Sequence, residues 1–337
     1  MTGAAGHLGE ALLRTFAERD QPAVGLDIQS SPFTQFVGSI ADRDLVAHSM
    51  RGVSAVIHTA TLHKPHVPTH RDQQFIDTNI TGTLTLLEAA IRARVDVFIF
   101  TSTTSTFGMA LTPAPGHPAA WITEDVVPVP KNIYGVTKVA AEDLCELFYR
   151  RERLPTIVLR TSRFFPEPDD DPEKRAAFSV ENAQANELLH RRVDIEDVVS
   201  AHLLALDRAR SLGFARYLVS GTTPFSRSDL QALRTNTPSV VARLFPNCES
   251  LYQRRGWKLP STIDRVYVND RARRELGWTP TYDFARVLRC LRNGEDHRSE
   301  LARVVGSKGY HPTSPTNVGA LASGLHHERD EPRATGE

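Results

Sequence analysis

Tyr134 and Lys138 are the residues whose types and spacing most directly suggest chemistry. They lie four residues apart in the segment 132–138. In a helix, this spacing places both side chains on one face, one turn apart. An ammonium group beside a phenol favours the phenolate and lowers its pKa from about 10 towards neutrality. The pair therefore indicates a proton-transfer group, although a half-buried tyrosine beside a solvated lysine has the same spacing.

A glycine-rich turn opens the chain and suggests a second function. Gly3, Gly6 and Gly9 precede a helix-like run over residues 10–19. Such glycines allow a tight turn and let backbone N–H groups approach a pyrophosphate at a helix N-terminus. Asp27 then follows an apolar segment, where an acid can accept a hydrogen bond from a ribose 2′-hydroxyl. Together these features predict a dinucleotide site, whereas the glycines alone would fit a plain loop.

The strand that normally precedes such a turn is absent, because only Met1 and Thr2 come before Gly3. In a doubly wound sheet this strand is central, between the second and fourth strands. We expect about six further apolar residues upstream, the length of an ordinary strand, with a GTG valine codon read as the start. An immediate in-frame stop codon in the upstream DNA would contradict this expectation.

Strand-like and helix-like segments alternate along the first two thirds of the chain. We predict strands at 23–26, 35–40, 55–58, 95–100, 156–159 and 216–220, and helices at 10–19, 42–50, 72–94, 134–151 and 198–209. This alternation predicts an α/β fold, a Rossmann-type doubly wound parallel sheet with a smaller C-terminal substrate lobe. We assign residues 1–162 to the dinucleotide-binding domain, with 213–222 returning to it. Residues 163–311 form mainly the substrate lobe, and 312–337, rich in Gly, Ser, Pro and charge, form a disordered tail.

Composition excludes several classes of partner. Lys plus Arg equals Asp plus Glu, at 40 each, so no charge bias favours nucleic acid. We see no apolar run near the roughly 18 residues of a membrane span. The three cysteines are far apart, which predicts neither a disulfide framework nor a zinc site and favours the cytoplasm.

The ordered set of motifs resembles the extended short-chain dehydrogenase/reductase family, in its NAD-dependent epimerase/dehydratase group, and most closely the layout of sugar-nucleotide epimerases. The matching segments are Gly3/Gly6/Gly9, Asp27, 56–60, 79–83, 98–108, Tyr134/Lys138, 159–160, 194–198 and 276–280.

The resemblance implies a role for each matching position. Thr103 falls at the catalytic Ser/Thr position, Tyr134 would be the general acid/base, and Lys138 would hold the nicotinamide ribose and lower the Tyr134 pKa. NAD would be the cofactor, and Asp27 would select it over NADP. The residues implied in cofactor binding are Gly3, Gly6, His7, Leu8, Gly9, Asp27, Ile40, Thr59, Ala60, Asn79, Thr101, Tyr134 and Lys138.

Departures from the family bear on the substrate. Ser39 stands where many members carry an adenine-binding Asp. Thr104 and Ser105 follow Thr103 where sugar dehydratases have Asp-Glu, so dehydration by that route is disfavoured. Arg163 replaces an Asn that is common in epimerases. We assign His63, Thr104, Arg163 and Arg192 to the substrate site.

Other polar clusters have simpler interpretations. His63, His66 and His70 lie in a Pro-containing loop, so substrate contact or a plain loop is favoured over a metal site, and we expect no metal. The pair Arg191–Arg192 has the chemistry to bind a phosphate or carboxylate, but surface or interdomain charge is the commoner role of such pairs.

These features predict an NAD-dependent enzyme acting on a secondary alcohol or ketone, most simply a sugar-nucleotide epimerase. One alternative is net reduction or oxidation of a non-nucleotide carbonyl or alcohol. Another is a non-catalytic NAD-sensing or scaffold protein, because fold does not fix function. The resemblance also implies a homodimer formed through the helices at 72–94 and 134–151.

Overall fold

A computed structural model describes residues 1–169 and 171–309, so the segment 312–337, expected to be a disordered tail, lies outside the described residues. The chain forms a parallel sheet whose four main strands have the order β3-β4-β6-β7. Strands β1 and β2 pair in parallel, and β5 pairs with β8 in a separate two-stranded sheet. The strands are β1 (Leu26–Asp27), β2 (Phe36–Val37), β3 (Ala55–His58), β4 (Val97–Thr103), β5 (Ala120–Ile122), β6 (Thr156–Thr161), β7 (Phe214–Val219) and β8 (Arg265–Tyr267).

Thr2 occupies the central position of the sheet. It forms parallel bridges to Leu26 on one side and to His58 on the other. Its N–H donates to the Ile57 carbonyl at 3.1 Å, and the Leu26 N–H donates to the Met1 carbonyl at 2.8 Å. The first strand position is thus flanked as expected, and the predicted doubly wound parallel arrangement is confirmed.

Helices cover both faces of this sheet. The helices are α1 (His7–Glu18), α2 (Arg43–Ser49), α3 (Asp72–Phe75), α4 (Gly82–Arg92), α5 (Ile133–Glu152), α6 (Pro172–Ala177), α7 (Val180–Glu187), α8 (Ile195–Leu212), α9 (Leu230–Leu233), α10 (Thr237–Leu244), α11 (Cys248–Arg255), α12 (Asp270–Leu276), α13 (Phe284–Asn293) and α14 (Glu300–Val305). No helix in the described ranges is long and apolar enough to cross a membrane.

Strand β4 shows how side-chain alternation divides the core into two layers. Phe98 and Phe100 belong to a cluster with α2, α4 and α5, whereas Ile99 belongs to a cluster with α1 and α8. Successive side chains of a strand point to opposite faces, so one strand contributes to both layers. The sheet and the helices on its two faces therefore form three layers, and the carboxyl ends of the strands can position the residues of a site.

The helix predicted over 72–94 is interrupted. Between α3 and α4, the residues Ile76–Thr81 form a π-helical turn that contains the buried Asn79. Such turns contain an extra residue and occur frequently at functional sites.

The C-terminal lobe has its own core but is not separate from the sheet. Residues such as Leu233, Val241, Leu251 and Phe284 form its cluster. Within the region assigned to the substrate lobe, however, α8 packs directly on the parallel sheet, and Trp278 joins the same cluster. Between β4 and α5 the chain forms β5, which pairs with β8 over Ala120–Ile122, and the segment after β6 contains α6 and α7.

Candidate functional site

A cavity of about 780 Å³ opens at the carboxyl ends of the parallel strands. This is where ligands bind in open α/β sheets. The predicted residues that line it are Gly3, Gly6, His7, Leu8, Gly9, Asp27, Ile40, Thr59, Ala60, His63, Thr101, Thr103, Thr104, Tyr134 and Arg163. Three other predicted residues, Asn79, Lys138 and Arg192, do not line the cavity.

The glycine turn is built for close backbone contact. Gly3 has φ of +72°, and a Cβ there would lie 2.6 Å from the Thr59 Oγ1. A Cβ on Gly9 would lie 1.8 Å from the carbonyl oxygen of Gly3. Only glycine fits at both positions, so the turn presents bare backbone to the cavity beside the N-terminus of α1.

Asp27 is held in place at the end of β1. Its Oδ2 accepts a hydrogen bond from the Ala5 N–H at 3.0 Å, and its Oδ1 accepts from the Gln29 N–H at 2.9 Å. The carboxylate is therefore oriented beside the glycine turn, and each oxygen has a further lone pair for a ligand. The glycine turn, the N-terminus of α1 and the oriented Asp27 carboxylate together fit a dinucleotide such as NAD.

Tyr134 and Thr103 meet at the other end of the cavity. Tyr134 lies in the first turn of α5, which Asn132 caps by accepting from the Gly135 N–H at 3.0 Å. Thr103, at the end of β4, lines the same cavity, and its hydroxyl oxygen accepts from the Ser105 N–H at 3.1 Å. Burial raises the pKa of Tyr134 to about 12, while the nearby Thr103 hydroxyl acts in the opposite direction.

The expected lowering of the Tyr134 pKa by Lys138 is not observed, because the lysine is engaged elsewhere. Its Nζ donates to the Thr101 carbonyl at 2.6 Å and lies 4.0 Å from the centre of the Phe100 ring. Burial lowers the pKa of Lys138 to about 7, and the nearby Glu142 opposes this effect.

Thr101 is itself fixed from the other face of the sheet. Its hydroxyl lies 2.8 Å from the His202 Nε2, while the His202 Nδ1 lies 2.8 Å from the Val198 carbonyl. Because a carbonyl only accepts, Nδ1 carries the proton and Nε2 accepts from Thr101. Burial lowers the pKa of His202 to about 4, consistent with this neutral ring.

The Asn79 side chain links two parts of the fold and does not line the cavity. Its Oδ1 accepts from the Leu62 N–H and the Thr61 hydroxyl, both at 2.9 Å. Its Nδ2 donates to the Leu62 carbonyl at 2.9 Å and to the Thr137 hydroxyl at 3.0 Å. The amide thus fastens the loop after β3 to α5, so we interpret Asn79 as a positioning residue for the cavity wall.

The two adjacent arginines Arg191 and Arg192 lie in different environments. Arg192 is buried and donates to the Glu187 Oε2 at 2.9 Å and to the Phe165 carbonyl at 2.6 Å, so its guanidinium is used within the protein. Arg191, which was not selected, lines the cavity and contacts Asp169 and Glu187, each at 2.6 Å. The sequence of two adjacent arginines does not show which side chain reaches a cavity, because the fold sets the direction of each side chain.

The remaining substrate candidates lie in two loops at the cavity mouth. The His63 ring is 5.5 Å from that of Phe165. Arg163 donates through Nη2 to the carbonyls of Glu167 and Pro168, at 2.7 and 2.6 Å, and so stabilises its own loop. Within residues 1–169 and 171–309, no cluster of three or more His, Cys, Asp or Glu side chains is arranged to hold a metal ion.

Glu167 and Lys308 also line the cavity, although no motif in the sequence pointed to them. The Glu167 Oε1 lies 3.1 Å from the His7 Nε2 and accepts from the Ser307 hydroxyl at 2.8 Å and the Lys308 N–H at 3.0 Å. Burial raises the Glu167 pKa, but contacts led by His7 outweigh it and lower the value to about 2. Lys308 in turn forms an ion pair with Glu10 in α1.

A doubly wound sheet with a glycine turn at one end of a cavity and a Thr–Tyr pair at the other defines a dinucleotide-dependent enzyme. Comparison with known families agrees. The profile of the NAD dependent epimerase/dehydratase family matches residues 1–219, and the chain belongs to this family. It is therefore an NAD-dependent enzyme of the extended short-chain dehydrogenase/reductase type, as the motifs predicted.

Individual relatives are distant but match over nearly their whole length. A UDP-glucose 4-epimerase from Rhizobium meliloti (strain 1021) is 26% identical over 89% of this chain and 97% of its own. A short-chain dehydrogenase/reductase superfamily protein from Agrobacterium tumefaciens, solved with bound NAD, has a TM-score of 0.62 at 21% identity, covering 90% of this chain and 98% of its own. The UDP-glucose 4-epimerase of Thermotoga maritima, solved with UDP-glucose, has a TM-score of 0.59 at 21% identity, covering 87% and 98%.

Proposed function

We propose that this protein is a sugar-nucleotide epimerase in which Tyr134 transfers the proton of a secondary alcohol. The observation that carries this proposal is that Thr103 and Tyr134 lie together on the wall of a cavity that begins at the glycine turn. The resemblance to UDP-glucose 4-epimerases over most of the chain supports the same reaction.

The chain's own residues supply proton transfer and orientation. The Tyr134 oxygen takes the proton of the substrate hydroxyl as the carbinol carbon loses hydride, and returns it when hydride is delivered to the opposite face of the resulting ketone. Thr103 hydrogen-bonds the reacting oxygen. When bound, NAD supplies the hydride acceptor and a positive charge beside the phenol. Because burial raises the Tyr134 pKa to about 12, formation of the phenolate depends on such nearby positive charge.

Cationic side chains on the cavity wall favour an anionic substrate. Arg191, Arg265 and Lys131 all line it, Arg191 being paired with Asp169 and Glu187 and Arg265 with Asp264. Arginine side chains bind phosphate oxygens through charge-assisted hydrogen bonds. These residues support a nucleoside diphosphate sugar over an uncharged alcohol.

Replacement of Tyr134 by Phe tests this mechanism. We expect Tyr134→Phe to lose roughly 10²–10⁴-fold in turnover, because the proton-transfer group is removed, while NADH still binds. Turnover is measured in a screen of UDP-, GDP- and dTDP-sugars, and NADH binding by fluorescence. Tyr149→Phe is the matched control, since Tyr149 lies on the same helix but stacks on Phe214, 5.9 Å between ring centres. Unchanged turnover in Tyr134→Phe would remove Tyr134 from the mechanism.

The fate of the cofactor separates epimerisation from net oxidoreduction. An epimerase recycles its NAD, so the purified protein is expected to retain NAD(H) and to show no turnover of free cofactor. Stoichiometric NADH production from a simple alcohol would instead support the dehydrogenase alternative.

We further propose a homodimer formed by α4 and α5, as the family resemblance implies. Val136 and Leu147 on α5 support this proposal, since their side chains are 49% and 39% exposed. We expect a solution mass of two chains by light scattering, and Leu147→Lys to shift it towards one chain, because a charge would be buried in the interface. A single-chain mass for the wild-type protein would refute the dimer.

A further inference from the structure

A buried carboxylate lies one helical turn beyond Lys138. Glu142 is only 1% exposed, yet it does not line the cavity. Its Oε1 accepts a hydrogen bond from the Ser102 hydroxyl at 2.5 Å. Its Oε2 accepts from the Arg160 Nη2 at 2.8 Å and from the Arg216 Nε at 3.3 Å. Three strands of the sheet, β4, β6 and β7, therefore converge on this one side chain of α5.

Lys138 and Glu142 together hold the end of β4. Lys138 binds the Thr101 carbonyl, and Glu142 binds the Ser102 side chain, in consecutive residues just before Thr103. The Ser102 carbonyl is held in addition by the Thr161 hydroxyl at 3.0 Å. Because α5 also carries Tyr134, these contacts set the position of Thr103 relative to the phenol.

The charges around Lys138 are balanced mainly by Glu142. Arg160 and Arg216 add further positive charge on the β6 and β7 side, and Asp143 and Glu146 contact Arg216 from the more exposed side.

The other groups near Lys138 are neutral. Burial raises the pKa of the Cys145 thiol, and burial and Lys138 keep the pKa of His58 well below its usual value. Tyr134 is protonated as well, because burial raises its pKa to about 12. Among the described residues that face Lys138, Glu142 thus supplies the buried negative charge.

We propose that Glu142 is a positioning residue for the Thr103–Tyr134–Lys138 site, which fixes the end of β4 against α5 and places a buried carboxylate one helical turn from the Lys138 ammonium. The inference rests on the proposed function and on the family resemblance, which implies that Lys138 holds the nicotinamide ribose. A buried Glu–Arg pair that served folding alone would contribute stability without affecting the charge of Lys138.

The test is the pH dependence of NADH affinity. The ammonium form of Lys138 exists below its pKa, so the part of the affinity that depends on it is lost as pH rises through that pKa, which is about 7 in the wild-type chain. Glu142→Gln preserves an oxygen acceptor for Ser102 but removes the charge that raises the Lys138 pKa. We expect the loss of affinity to move to lower pH by about one unit or more.

Glu146→Gln is the matched control. Glu146 lies one turn further along α5 and contacts the Arg216 Nη1 at 2.8 Å, so its replacement removes an equal charge without touching Lys138. The control is expected to keep the wild-type profile. If NADH affinity in Glu142→Gln depends on pH as it does in the wild-type protein, the inference is overturned. The proposed function would still stand if Tyr134→Phe abolishes turnover. A wild-type protein that binds no NADH would refute both.

A second variant covers the case in which Glu142→Gln does not fold. Glu142→Gln/Arg216→Gln removes one negative and one positive charge and keeps the net charge of the native chain. Since Lys138 still lacks its facing carboxylate, the same shift in NADH affinity is expected, and its absence in the folded double variant would overturn the inference.

Discussion

Gly3 and Gly52 share a left-handed backbone, with φ of +72° and +73°, but differ in their surroundings. A Cβ on Gly52 meets no atom within 4 Å, whereas one on Gly3 would lie 2.6 Å from the Thr59 Oγ1 and 2.8 Å from the Ala60 N. Comparing the two glycines therefore separates the cost of the backbone conformation from the cost of steric overlap at the glycine turn.

We expect Gly52→Ala to lower the free energy of unfolding by about 1 kcal/mol, the penalty for a side chain in this conformation, and to leave NADH affinity unchanged. Gly3→Ala carries the same penalty and a further steric overlap of about 1–3 kcal/mol, so its NADH affinity should fall about tenfold or more. Urea unfolding and fluorescence titration measure the two effects. Equal NADH affinity in both variants would show that the glycine turn does not approach the cofactor.

Local spacing was informative for residues whose role depends on neighbours in sequence. The glycine turn, Asp27, Thr103 and Tyr134 all line the cavity, and the family's NAD dependence agrees with the predicted cofactor. Lys308 was not predictable, because it meets Glu10 across 298 residues, and no local pattern encodes such a contact. For a related reason the sequence did not indicate which of Arg191 and Arg192 lines the cavity, since two adjacent arginines are alike in sequence but face different environments.

Secondary structure elements were predictable where hydrophobic periodicity is long. The helix α5 and the strands β3, β4, β6 and β7 lie where the sequence placed them, within a few residues. The three-residue strands β5 and β8 were missed, because alternation cannot be recognised over so short a run and their pairing joins Ala120 to Arg265. The π-helical turn was missed because one extra residue hardly changes the composition of an apolar stripe.

At the scale of the whole molecule, the described C-terminal segment returns to the start of the chain. Ser307 and Lys308 bind Glu167, and the Lys308 side chain pairs with Glu10 on the first turn of α1. The helix α14 and Trp278 also pack in the cluster that contains α1 and the sheet. The C-terminal part of the chain therefore contributes to the core around the sheet as well as to its own, and Lys308 and Gly309 line the cavity.

We expect Lys308→Met to speed NADH dissociation by about 3- to 10-fold. The change keeps most of the apolar stem but removes one of the two cations paired with the Glu10 carboxylate beside the glycine turn, which leaves only Arg14. The cost is near that of one partly exposed ion pair, about 1 kcal/mol. Stopped-flow displacement of NADH measures the rate. Arg303→Met, an exposed position in α14, is the control, and an unchanged rate in Lys308→Met would show that the segment does not retain the cofactor.

The π-helical turn Ile76–Thr81 limits how the length of this region can vary. Its extra residue adds about 100° of rotation between α3 and α4 relative to a continuous helix, and the Asn79 amide reaches both Leu62 and Thr137 from this turn. Deleting a single residue such as Thr78 would restore a regular helix, but it would also rotate α3 relative to α4 and so move the side chains of one helix away from their present neighbours. Substitutions at its solvent-facing positions, such as Asp77, keep that geometry. Insertions and deletions are therefore expected to be far less tolerated here than point changes.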